Sequence, residues 1–214
     1  MYTPIQINRS TRYGNNYWEV YSPKLKRTVR LYSSLEYDHW LLLEVNPSIK
    51  SFCEQPLKIN YTLEHKIHSS IFDAWILYTD LTEEFREIKY LFDLSKPKTQ
   101  KQINIQRKWC LENGYKYSVQ TDDIIRKNSI LLENAKKIIP FLSNSLEKHP
   151  LNHKILRYVN CSSNPTGTSL KNITDILQEN INSVFGCVIN LVFQGKLKID
   201  IESQRVTIHS KVWC

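Results

Sequence analysis

The chain has 214 residues, 41% of them hydrophobic, and a formal net charge of +8. That length suits one large domain or two small ones; no run nears the ~18 consecutive apolar residues of a membrane span, and the N-terminus lacks the apolar stretch of a secretory signal. The basic excess is spread along the chain and favours an acidic partner, nucleic acid first, against the alternative of a generally basic soluble protein.

In chain order, "RTVRLYSS" (27–34) reads as a strand entering a turn, and "SSLEYDHWLLLEVN" as a helix. Ser33 with Glu36 three later fits a capping box, and Pro47 should end the helix near Val45. "PSIKSFCEQPLKINYTLEHKIHSS" reads as loop with a short strand. "SIFDAWILYTD" (70–80) and "EEFREIKYLF" (83–92) alternate like two strands of a hairpin. With the hairpin symmetric about Leu81, Asp73 stands opposite Lys89 and Trp75 opposite Glu87, which puts Asp73, Glu87 and Lys89 on one face. A one-residue slip would break that arrangement.

"SKPKTQK" reads as a basic loop, "QINIQRKWCLENG" as a helix capped at Gly114, "YKYSVQT" as a strand and "SILLENAKKIIPFL" as an amphipathic helix. These patterns predict an α/β or α+β core over residues 1–146. After the polar stretch ending in Pro150, residues 147–214 show three helical patterns and two short strands, "KLKIDI" and "RVTIHS", the order of a winged helix. The five scattered cysteines, with no Cys-x-x-Cys pair, are expected to be reduced thiols of a cytosolic protein. His149 and His153 have no third ligand nearby and read as surface residues; Trp40, Trp75 and Trp109 read as core.

Phosphodiester cleavage needs a hard divalent cation on oxygen ligands and a cation near the reacting phosphate. Asp73, Glu87 and Lys89 have those residue types, spaced D-x(13)-E-x-K as in restriction-endonuclease-like nucleases. An Asp73–Lys89 ion pair without chemistry predicts the same proximity, and Glu36 reads by itself as a helix cap. Lys96, Lys98 and Lys101 follow the second strand and are candidate DNA-backbone contacts, or a solvated loop.

The run "SLEYDHWLLLEVNPSIKSFCEQPLKI", then "FDAWILYTD", "REIKY", "GYKYSVQTDDIIR" and "NAKKIIPFL", resembles the TnsA family, the endonuclease subunits of heteromeric bacterial transposases. The resemblance implies a restriction-endonuclease-like mixed sheet flanked by helices and a winged-helix-like C-terminal domain. It implies Mg²⁺ as cofactor, with two ions accommodated and Mn²⁺ able to substitute. Asp73, Glu87 and Glu36 would be the metal-site acids and Lys89 the catalytic lysine. The implied activity is cutting of the non-transferred strand at the 5′ transposon ends, in the bacterial cytoplasm, with a DDE-type transposase subunit and an AAA+ regulator as partners. A stand-alone restriction- or repair-type endonuclease and a non-catalytic winged-helix DNA-binding protein are the alternatives.

Overall fold

A computed structural model describes residues 2–6, 16–63, 66–142, 146, 149–161 and 167–214. The chain forms two compact units, Met1–Lys127 and Asn128–Cys214.

In the first unit, β1 (Trp18–Ser22) and β2 (Arg27–Leu31) pair as an antiparallel hairpin that leads into α1 (Ser34–Val45). Ser33 caps α1 as expected, its Oγ accepting the Glu36 N–H at 3.1 Å. β3 (Ile49–Glu54) follows, then the antiparallel arm β4 (Lys58–Leu63) and β5 (Lys66–Ile71), then β6 (Ala74–Tyr78) and β7 (Glu83–Lys89). α2 (Pro97–Glu112), β8 (Lys116–Thr121) and the short α3 (Asp122–Ile125) complete the unit. The central sheet has the order β3-β6-β7-β8, antiparallel except for the parallel β7–β8 edge, so it is mixed.

The strand expected over 70–80 is two strands broken at Phe72 and Asp73, and the loop expected before it is largely β3 and the β4–β5 arm. The β6–β7 register pairs Trp75 with Phe85 and Ala74 with Arg86, two residues away from the symmetry about Leu81. Because side chains alternate with period two, an even shift keeps every residue on its expected face. The basic loop expected at 95–101 is instead the start of α2: Pro97 takes the first helical turn, where its missing N–H costs nothing.

Phe85 faces α2 and packs with Phe72, Trp75, Ile105 and Cys110, a cluster in which Phe72 and Phe85 have no exposed surface. Burying each such phenyl ring contributes about 1.5–3 kcal/mol. The opposite face meets α1, where Leu35 packs with Ile88 and Ile125. Arg86 lies within hydrogen-bond distance of His39 Nε2 at 3.0 Å and donates to Glu84 Oε2 at 2.8 Å. Burial and the Arg86 charge hold the His39 imidazole down to about 3, so it is neutral.

The second unit begins earlier than the 146/147 boundary expected from sequence. α4 (Ser129–Ile138) belongs to it because Asn134, fully buried, donates to the carbonyls of Ile201 (2.8 Å) and Gln204 (2.7 Å) and accepts the Val206 N–H (2.8 Å). α5 (Leu151–Cys161), β9 (Thr168–Ser169), α6 (Leu170–Leu177), α7 (Ile181–Phe193), β10 (Lys198–Ile199) and β11 (Lys211–Trp213) follow. The last three-stranded sheet has the antiparallel order β10-β11-β9. The strand expected at "RVTIHS" lies further on, at 211–213, and β9 is not announced by the sequence pattern. Gly167, at φ +79°, allows β9 to approach β11: a Cβ there would fall 2.6 Å from the Val212 carbonyl oxygen. His149 accepts the Leu151 N–H through Nδ1, and His153 is exposed. Among the described residues no helix is long and apolar enough to cross a membrane.

Candidate active site

The break between β5 and β6 leaves Asp73 outside the ladder, with its backbone N–H bonded to Arg86 O (3.1 Å) and its Oδ2 accepting the Ile88 N–H (2.8 Å). These bonds aim its carboxylate at β7. Glu87 and Lys89 share the α2-facing side of β7, where Glu87 has no exposed surface and Asp73 is 8% exposed. Lys89 Nζ makes a close ion pair with Glu87 Oε1 and lies 3.7 Å from Asp73 Oδ2. Three of the expected residues therefore converge.

Burial and the charge of Asp73 push the Glu87 carboxyl well above the carboxylate range, against the pull of Lys89 and Gln106. Burial opposes charge on Lys89 too, but Asp73 and Glu87 outweigh it and hold its ammonium pKa above the ordinary value.

Glu36 is held differently. Its Oε2 accepts the Tyr32 N–H (3.0 Å) and the Gln55 Nε2 (3.2 Å), and its Oε1 accepts the Ser33 hydroxyl (3.2 Å). It thus braces the start of α1 while lining, with Asp73, His39 and Ile88, a small cavity of about 10 Å³. Its charge reaches Lys89 and helps keep it protonated. Gln55, at φ +38°, links the two acids: its N–H donates to Asp73 O at 3.0 Å while its side chain holds Glu36. Such left-handed backbone in a non-glycine residue costs about 1–3 kcal/mol and is held in place by its surroundings.

A cleft of about 480 Å³ opens beside Asp73 and Lys89, lined by Lys58 from the arm and by Lys98, Lys101 and Gln102 from α2. Lys96 is not among its lining residues; its ammonium pairs with Asp93 and lies 5.5 Å from the Phe92 ring centroid. Gln102, Gln106, Gln55 and Lys58 were missed by sequence reasoning. For the glutamines a signal existed: Gln102, Ile105, Gln106 and Trp109 fall at i, i+3, i+4 and i+7, so two amides sit on the helix face that carries core residues.

Residues 46–122 match the family described as TnsA-like endonuclease N terminal. This segment is similar to the TnsA-like endonuclease N-terminal domain. It holds Asp73, Glu87, Lys89, Gln106 and all four strands of the mixed sheet, while Glu36 lies before the matched span. No curated protein matches the chain.

The donor set of the TnsA-like domain fits a hard cation that keeps part of its water shell. Among the described residues no three His, Cys, Asp or Glu side chains form a closed metal cage. Mg²⁺ uses one or two carboxylates plus water and phosphate oxygens, and Asp73 with Glu87 supplies such a pair. A carboxyl raised by burial beside a second carboxylate is one that an added positive charge would return to its ionised form.

Proposed function

We propose that the chain is the Mg²⁺-dependent endonuclease subunit of a heteromeric transposase, cutting the non-transferred strand at the 5′ ends of the transposon. The observation that carries this reading is the meeting of Asp73, Glu87 and Lys89 at one end of β7 inside the TnsA-like segment. A bound divalent cation would neutralise phosphate charge and lower the pKa of the attacking water. Asp73 and Glu87 are the residues that would hold it, while Glu36, bonded at the start of α1, acts through its charge on Lys89. Lys89, kept protonated between carboxylates, acts as a fixed positive donor to the phosphate in the transition state and not as a base. Lys58, Lys98 and Lys101 bind the backbone beside the scissile phosphate. Hydrolysis leaves a 5′ phosphate.

The second unit, in which α5 to β11 follow α4 in the order helix–strand–helix–helix–strand–strand, is read as a winged-helix-like module that binds DNA or the AAA+ regulator. A DDE-type subunit cuts and joins the 3′ ends, and the complex works in the bacterial cytoplasm. The test is cutting of DNA carrying transposon ends by the assembled subunits in Mg²⁺. Asp73→Ala should abolish 5′ cutting while leaving the circular dichroism of the chain unchanged; undiminished cutting by that variant would overturn the assignment.

A further inference from the structure

We propose that Gln106, oriented by Tyr117, is a positioning residue that fixes Glu87 for a divalent cation at the Asp73–Glu87 site. The inference rests on the reading of Asp73 and Glu87 as the cation ligands.

Glu87 is fully buried, and its two oxygens are treated differently. Oε1 receives Lys89 and the Gln102 amide (2.7 Å), and both of these residues line the open cleft. Oε2 receives the Gln106 amide at 2.7 Å, and Gln106 has no exposed surface. Oε2 is therefore the oxygen anchored in the interior, and Oε1 the one whose donors, Lys89 and Gln102, line the cleft. Hydrogen bonds to both oxygens fix the plane of the carboxylate, a terminal torsion that is otherwise broad.

Gln106 can do this only in one orientation. Its Nε2 faces Glu87 Oε2 and the Ile71 carbonyl (3.3 Å), two groups that accept, and the Ser70 hydroxyl (3.0 Å). Its Oε1 accepts the Tyr117 hydroxyl at 2.8 Å. A flipped amide would set oxygen against oxygen at Glu87 and at Ile71. A directed chain thus runs from β8 through α2 to β7, from Tyr117 to Gln106 to Glu87.

The neutrality of the donor is the functional point. A lysine or arginine at position 106 would put a second positive charge on Glu87, beside that of Lys89, and compete with a cation. An amide fixes the carboxylate without adding to the charge that Lys89 already brings. Outer partners of this kind typically govern metal affinity by 10–100-fold.

The test is calorimetric titration of the full chain with Mn²⁺, comparing wild type, Asp73→Asn, Gln106→Met and Tyr117→Phe. Gln106→Met should weaken Mn²⁺ binding by about 10–100-fold, and Tyr117→Phe should weaken it less, in the same direction. In the assembled transposase, raised Mn²⁺ should restore the cutting rate of Gln106→Met, a rescue that a folding defect would not show. Wild-type Mn²⁺ affinity in both variants, with binding lost in Asp73→Asn, overturns the inference and leaves the cation site standing. Absence of Mn²⁺ binding by the wild type overturns both. Should Gln106→Met not fold, Tyr117→Phe, which removes one hydroxyl, decides the question alone.

Discussion

Glu87 has no exposed surface and faces a second carboxylate, so its ionisation is opposed by the fold itself. Burial, then Asp73, raise its carboxyl from 4.5 to about 8 in the cation-free protein. Between those two values the folded chain keeps a proton that the unfolded chain has released. The folded state then binds more protons, so this residue's contribution to stability falls as pH rises through the window. A glutamine at 87 cannot titrate and lacks that fall. In chelator, the urea midpoint of Glu87→Gln should therefore gain on that of wild type between pH 5 and pH 8, with a slope of at most about 1.4 kcal/mol per pH unit. A gap that shrinks with rising pH would contradict this placement of Glu87.

Among elements, those read correctly from sequence carried their own local reason. Ser33 and Glu36 announce α1 by capping chemistry, and β7 alternates between the aromatic face of Phe85 and the α1 face of Arg86 and Ile88. The common face of Asp73, Glu87 and Lys89 was legible because alternation survives an even shift in register, although their partners across the hairpin changed. The β4–β5 arm was illegible because β5 is largely exposed and lacks a clear apolar face, with only Ser70 buried. The start of α2 was hidden by its lysines, which suggest a loop, although Pro97 favours a helical first turn. Lys98 and Lys101, three apart, share a side of α2 and line the cleft, whereas Lys96 is paired with Asp93. The double variant Lys98→Ala/Lys101→Ala should reduce the slope of log affinity against log salt by about 2, since each phosphate left without its lysine removes about 0.9. Lys96→Ala should leave the slope nearly unchanged. Fluorescence anisotropy with labelled duplex across a salt series measures both.

For the molecule as a whole, the division into units follows buried polar bonds more than the polar stretch that marks a boundary in sequence. Asn134 on α4 satisfies two backbone carbonyls and one N–H in the segment 201–206. Ile138 of the same helix lies in one core with Ile155, Ile173, Val188 and Val212. A fragment beginning at residue 147 would expose that apolar surface and leave the carbonyls of Ile201 and Gln204 without Asn134. Each buried polar group left unsatisfied costs about 1–3 kcal/mol, and a unit of this size has only a few kcal/mol to lose. The fragment 128–214 should therefore melt cooperatively by circular dichroism, and the fragment 147–214 should show no cooperative transition. In the full chain, Asn134→Ala should destabilise the second unit by about 2–4 kcal/mol. Amide hydrogen exchange would then accelerate at Ile199 and Val212, with Ile76 and Phe85 unaffected, because the central sheet lies in the first unit with a core of its own. Equal acceleration in both units would mean that they unfold as one cooperative body.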